Sequence, residues 1–246
     1  MNPKILFWFN GVAGLCSIVS VLIAIFGERI GAYIALGSFV LFLISIVAIL
    51  WYWIYGVIHQ EYPDDYVRLS VFSSYETSDG VNGVYERYRT IQVKRLALSS
   101  IDFQFKWTGS KAPEISSDLQ RVVGEPVSGG KDYDRIKLAF KDILLYNETA
   151  IIHFRAKVED LDQKAIPMDC YKVETPTPLI HYRITLKNKP DGYNVPAKLQ
   201  KCLINSSIRV DFEDIKSIPF DPLTKSYQCD LINPEIGYYY RILWER

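Results

Sequence analysis

The sequence predicts an N-terminal transmembrane helical hairpin followed by an all-β domain, and three observations carry that expectation. Two uncharged apolar runs, residues 5–26 and 30–58, fill the first quarter of the 246-residue chain. Each exceeds the ~20 residues that a helix needs to cross a hydrocarbon core. From Tyr62 onward the apolar residues recur with period two, the signature of strands with one buried and one wet face. The expected domains are therefore a hairpin over residues 1–60, with spans at about 5–26 and 31–54, and a soluble β domain over 61–246.

In the first element, Gly27-Glu28-Arg29 leaves room for only a tight turn between the runs. Gly11, Gly14 and Ser17 on the first run and Gly31 and Ala35 on the second are small residues near three- or four-residue spacing. Such faces let helices pack closely in lipid, within one hairpin or between protomers of a homo-oligomer. Asn10 is the one strongly polar side chain inside a span, and neither span holds an ionisable residue, so no proton relay runs through a monomer. Trp51, Tyr52, Trp53 and Tyr55 form an interfacial aromatic collar at the end of the second run.

The first run is too long for the apolar stretch of a signal peptide. Cys16 follows Leu15, where a lipoprotein signal wants a small residue. Lys4 and the amino terminus lie on one side, and Glu28 offsets Arg29 on the other, which places both termini in the cytoplasm. The odd number of cysteines in the soluble part, Cys170, Cys202 and Cys229, points to the same reducing side of an inner membrane.

The β expectation is built strand by strand. Ile101, Phe103, Phe105 and Trp107 alternate with Asp102, Gln104 and Lys106. Ile136, Leu138 and Phe140 repeat the pattern, as do Ile152, Phe154, Ala156 and Val158 against His153, Arg155 and Lys157. Ile180, Tyr182, Ile184 and Leu186 face away from His181, Arg183, Thr185 and Lys187. Ile208, Val210 and Phe212 continue the series, and Ile236, Tyr238, Tyr240, Ile242 and Trp244 close it. Loop signals at Ser78-Asp79-Gly80-Val81-Asn82-Gly83, Ser128-Gly129-Gly130-Lys131 and Lys189-Pro190-Asp191-Gly192 separate the strands. Residues 141–148 read as a short crossover. Eight or nine strands with regular turns predict a β-sandwich, immunoglobulin-like rather than a closed barrel. Phe103, Phe105, Trp107, Phe154, Tyr182, Ile184, Tyr240 and Trp244 are the expected core.

Chemistry is sparse. With 28 basic and 28 acidic residues, the chain has no bulk charge with which to attract nucleic acid polymers or anionic lipid. His59, His153 and His181 are not at metal-ligand spacing and there is no Cys-x-x-Cys, so no metal and no cofactor is expected. His153 and His181 fall on solvent faces of their strands. No nucleophile elbow or phosphate loop is present, and the carboxylates at Asp160/Asp162 and Asp211/Glu213/Asp214 read as solvated turn and strand-end acids, so no enzyme is expected. Two basic-aromatic segments are candidate ligand sites: Arg87, Tyr88 and Arg89, and Tyr239 with Arg241. Aromatic rings stack on bases and guanidinium groups pair with phosphates. Tyr238 and Tyr240 belong to the apolar stripe and read as core.

Taken together, the two spans of residues 5–26 and 30–58, the turn at Gly27-Glu28-Arg29 and the alternating strands from Val67 to Trp244 resemble the two-transmembrane, β-rich effectors of bacterial anti-phage systems. The resemblance covers the whole chain as architecture and no ligand residue carries over from it. It implies control by a cyclic nucleotide from a partner nucleotide cyclase or small polymerase, with membrane disruption and growth arrest as output. In one subtype the nucleotide activates a short β-barrel effector. In the other, the Panoptes type, a constantly made cyclic dinucleotide holds the effector off. The length of the soluble part matches the second better. A membrane-tethered β-sandwich scaffold or envelope assembly protein without a small ligand fits the same layout, because fold does not fix function.

Overall fold

A computed structural model describes residues 21, 28–62, 64–127, 133–204 and 212–246. The chain forms two compact units, Met1–Glu61 and Tyr62–Arg246.

The first unit contains helix α1 (Glu28–Glu61). A predominantly apolar sequence without proline lets the helix run this far, and Ser45 returns its hydroxyl to the Leu41 carbonyl (2.8 Å), as polar side chains in apolar helices do. The stretch Leu36–Glu61 has a mean hydropathy of 2.3 and is long and apolar enough to cross a membrane. Apolar side chains are exposed all around it, from Phe39 and Leu41 to Trp51 and Trp53. Lipid is the solvent in which a helix of that kind is stable. Tyr52 and Tyr55 are exposed as well, and Tyr55 stacks on His59 with ring centroids 6.1 Å apart. Glu28 and Arg29, expected in a turn, are instead the first residues of α1, since neither charge interrupts a helix. Gly31 and Ala35 lie within α1. The first apolar run, with Gly11, Gly14 and Ser17, lies outside the described residues apart from Val21. Among the described residues there is thus one such helix rather than two.

The second unit is built of strands: β1 (Tyr66–Thr77), β2 (Asn82–Val93), β3 (Ala97–Phe105), β4 (Glu114–Ser116), β5 (Arg121–Val127), β6 (Asp134–Leu145), β7 (Thr149–Glu159), β8 (Met168–Val173), β9 (Leu179–Leu186), β10 (Ala197–Leu203), β11 (Glu213–Ile218), β12 (Ser226–Ile232) and β13 (Tyr238–Leu243). They form a long sheet in the order β12-β9-β1-β2-β7-β4, a four-stranded sheet β11-β10-β13-β8 and a three-stranded sheet β3-β6-β5. The long sheet is mixed: β1 pairs with β9 in parallel and with β2 in antiparallel register.

Register explains why both short sheets stack on the same face of the long one. A bulge between Arg68 and Ser70 lets β1 keep Tyr66 and Arg68 on the side where Val71, Ser73 and Tyr75 point. The partners of these residues, Ile91, Arg89, Arg87 and Tyr85 on β2, share that side. One half of the face packs with the four-stranded sheet through Tyr171, Ile180, Tyr182, Ile184, Tyr240 and Trp244. The other half packs with the three-stranded sheet through Ile91, Phe103, Phe105, Ile136, Ile152 and Phe154. Sheet-on-sheet packing is therefore present, but as two adjoining sandwiches on one shared sheet rather than a single immunoglobulin-like one.

Several expectations need correction. Among the described residues thirteen strands occur where eight or nine were expected; β4 and β5, which are short or mostly exposed and carry no alternation to read, make up part of the excess. The segment expected as a crossover, residues 141–148, instead completes β6 and turns directly into β7. Asn147 in the left-handed region (φ 71°) makes that tight reversal, a conformation asparagine tolerates. Strand β3 stops at Phe105, so Trp107 is half-buried in the following loop, its indole N–H donating to the Lys111 carbonyl (2.9 Å). Ile236 precedes β13 and is exposed. His153 is fully buried rather than solvent-facing, because the turn between β4 and β5 covers it: its Nδ1 accepts the Asp118 N–H (2.9 Å). Ser128-Gly129-Gly130-Lys131, Ile208 and Val210 lie outside the described residues.

Candidate functional site

Where the two short sheets meet above the long one, they leave a cleft of about 440 Å³. Its floor is Tyr85, Arg87 and Phe154 of the long sheet. One wall is Phe105, Trp107 and Tyr133, beside the three-stranded sheet. The other is Cys170, Tyr239 and Arg241 on β8 and β13. The registers that pair Arg241 with Cys170, and Cys202 with Tyr239, set this second wall as one face of the four-stranded sheet.

Arg87 is held tightly at the floor. It pairs with Asp169 (2.7 Å) and donates to the Ser73 hydroxyl (3.0 Å) and the Cys170 carbonyl (3.1 Å). Burial opposes its charge more than any single neighbour favours it, but the Asp169 carboxylate together with Tyr182, Tyr171 and Tyr133 holds its pKa above the ordinary arginine value. Arg241 donates to Gln200 Oε1 (2.8 Å) and lies 3.4 Å over the Phe212 ring. Burial lowers its pKa. Tyr133 stacks on Tyr239 with centroids 6.1 Å apart and donates to Cys170 Sγ (3.7 Å). Burial pushes the Cys170 thiol up to about 11, so it is protonated near neutral pH and is a weak nucleophile.

Of the ligand candidates read from the sequence, Arg87, Tyr239 and Arg241 come together in this cleft, although they belong to different sheets. Arg89 points to the same side of β2 but lines a separate, smaller cavity. Tyr88, as alternation demands, is on the opposite face of the long sheet. There it stands in a row of rings across four strands: His181 and Phe72 (centroids 5.1 Å), Phe72 and Tyr88 (6.2 Å), Tyr88 and His153 (4.5 Å). His181 Nδ1 meets Asp230 (2.6 Å) at the end of the row.

Sequence reasoning missed Asp169, Tyr133 and Trp107 as site residues. Asp169 left a signal, since it occupies the apolar phase of Asp169, Tyr171 and Val173, and a carboxylate there demands a buried cation. Among the described residues, no three His, Cys, Asp or Glu side chains are grouped to hold a metal ion. The cleft thus offers rings and two guanidinium groups, one neutralised by Asp169 and the other bound to a neutral amide. It is equipped to hold a flat, anionic ligand of small-molecule size.

No protein-family model and no curated protein matches the chain. Solved structures give low-identity matches. One is an M1 zinc metallopeptidase from Deinococcus radiodurans, 8% identical with a TM-score of 0.39, covering 73% of this chain and 42% of that one. The chain therefore spans less than half of that peptidase. Another is baculovirus P35, 7% identical with a TM-score of 0.38, covering 75% of this chain and 99% of that one. The pilus protein RrgB from Streptococcus pneumoniae is 9% identical with a TM-score of 0.25, over 72% and 36%.

Proposed function

We propose that the chain is a membrane effector of bacterial anti-phage immunity, whose β unit binds a cyclic dinucleotide in the cleft and thereby controls membrane disruption. The observation that carries this reading is the convergence of Arg87, Arg241, Tyr239, Tyr133 and Trp107 on one concavity. Its 440 Å³ lies within the ~300–1,000 Å³ of small-molecule sites. Tyr133 and Tyr239 supply ring faces for bases, and Arg241 supplies a guanidinium for a phosphodiester.

The rest of the reading follows from the layout. Residues 5–26 join the apolar helix as a second span, both termini are cytoplasmic, and the protein is a multi-pass protein of the inner membrane. A partner nucleotide cyclase or small polymerase supplies the ligand, the lipid bilayer is the target, and the protein itself catalyses nothing. Moving a two-state balance from 1:99 to 99:1 needs ~5.5 kcal/mol of differential affinity. Several protomers binding together supply this most easily, so the acting form is a homo-oligomer.

One observation favours a second reading, a membrane-tethered scaffold or envelope assembly protein without a ligand. Asp169 already neutralises Arg87, leaving Arg241 as the one cleft guanidinium without a carboxylate partner among the described residues. Calorimetric titration of the full-length protein with a panel of cyclic di- and oligonucleotides separates the two. Binding of one member, weakened at least about tenfold by Arg241→Ala as loss of a charged hydrogen bond implies, supports the sensor. Binding of none, together with intact membranes when the protein is expressed alone, supports the scaffold.

A further inference from the structure

We propose that a second cavity, beside the cleft, is an anion site in which Arg89, Arg68 and Tyr171 hold a single phosphate-type oxyanion. This inference stands on its own residues and does not depend on the reading of the larger cleft.

The cavity measures about 70 Å³, room for more than one water at ~30 Å³ each. Three buried polar atoms without a hydrogen-bond partner belong to its lining: Arg68 Nε, Arg89 Nε and the Tyr171 hydroxyl. The residues that carry them are at most 6% exposed. Each of the three can donate a hydrogen bond, and buried donors are rarely left unmade in folded proteins. Their natural complement is a group with several acceptors, which an oxyanion provides and a cation does not.

Charge accounting agrees. Arg68 pairs with Asp64 (2.6 Å), Arg87 with Asp169 (2.7 Å) and Lys172 with Glu174 (2.5 Å). No carboxylate lies within ion-pair distance of Arg89 among the described residues; Asp102, on the cavity rim, is exposed. The Arg89 guanidinium instead rests 4.0 Å over the Phe103 ring and 5.4 Å over that of Tyr171. An aromatic face leaves the N–H edge of a guanidinium open, the edge with which arginine grips tetrahedral oxyanions. Burial without a counter-charge lowers the pKa of Arg89. Arg89 is therefore a buried cation with no carboxylate at ion-pair distance among the described residues.

Two sources present this chemistry: free inorganic phosphate, or a phosphate of a nucleotide seated in the cleft. Arg87, Tyr133 and Cys170 line both cavities, so a ligand in one is next to the other. Thermal unfolding of the detergent-solubilised full chain tests the site. Sodium phosphate and a cyclic dinucleotide are titrated separately against sodium chloride of matched ionic strength, for the wild type, Arg89→Met and Tyr171→Phe. In ligand-free buffer Arg89→Met should be as stable as wild type or more so, because it removes a buried charge that has no partner. At least one of the two ligands should raise the wild-type midpoint with dose. Arg89→Met should need about tenfold more of it, or lose the response, as loss of charge-assisted hydrogen bonds implies. Tyr171→Phe removes only a hydroxyl without a partner, so it keeps the fold and should weaken the response severalfold. A response to phosphate but not to the cyclic dinucleotide would keep the anion site and assign it to free phosphate. A wild type indifferent to both ligands, or a response unchanged in Arg89→Met and Tyr171→Phe, would overturn the site.

Discussion

Removing the carboxylate of Asp169 should damage the β unit severely, because it leaves the buried Arg87 guanidinium without its partner. Its side chain is 3% exposed, that of Arg87 is 12%, and they meet at 2.7 Å. At an effective dielectric of about 20, two unit charges ~4 Å apart attract by ~4 kcal/mol. Desolvation of both ions consumes much of that, so the intact pair adds little net stability, but a single survivor is left buried and uncompensated. Asp169→Asn, which keeps the shape, should therefore cost ~3–5 kcal/mol, and Arg87→Met a similar amount. The double variant leaves no buried charge in the pair and should lose far less than the two single effects combined. Equilibrium urea unfolding followed by circular dichroism gives all three values and their coupling. Additive losses, or an Asp169→Asn variant within ~0.5 kcal/mol of wild type, the usual range for surface changes, would show that the pair is not the buried, interdependent unit described.

Phe154 is stacked on Phe103 (centroids 4.5 Å) and near Phe105 (5.3 Å), so Phe154→Ala should cost ~3–5 kcal/mol in the same assay. Trp107→Ala should cost less, because its ring is only half-buried and lies beyond the end of β3. Burial lowers the pKa of His153 from 6.5, so the unfolded chain binds the proton first as pH falls. Stability should therefore decline with acidification below about pH 6.5, and His153→Gln should flatten that part of the curve. A C-terminal reporter active only in the cytoplasm should light up, whereas one active only in the periplasm should stay silent.

The strands with strict alternation were legible, since Phe103, Phe154, Tyr182, Ile184 and Tyr240 are buried where period two places them. Burial of His153 was not, because alternation reports which face of a strand a residue takes and not whether a later turn covers that face. The parallel pairing of β1 with β9 was equally hidden, since nothing local in either strand encodes a partner so distant in sequence. Arg87, Tyr239 and Arg241 were noticed as isolated segments. Their meeting depends on the two short sheets docking side by side, and only Asp169, a carboxylate in an apolar phase, hinted at what lies between them.

Strand β1 is the first of the β unit to leave the ribosome, yet it is held on both sides in the finished sheet. On one side β2 follows at once through a tight turn; on the other, the pairing that sets Glu76 beside Lys187 spans 111 residues. Until β9 has been made, the hairpin of β1 and β2 carries an open edge. Distant pairing of this kind slows folding, and an uncovered edge invites the strands of neighbouring chains. Nascent copies made close together are thus exposed to mutual capture, so the pace of synthesis between residues 94 and 186 becomes a determinant of yield.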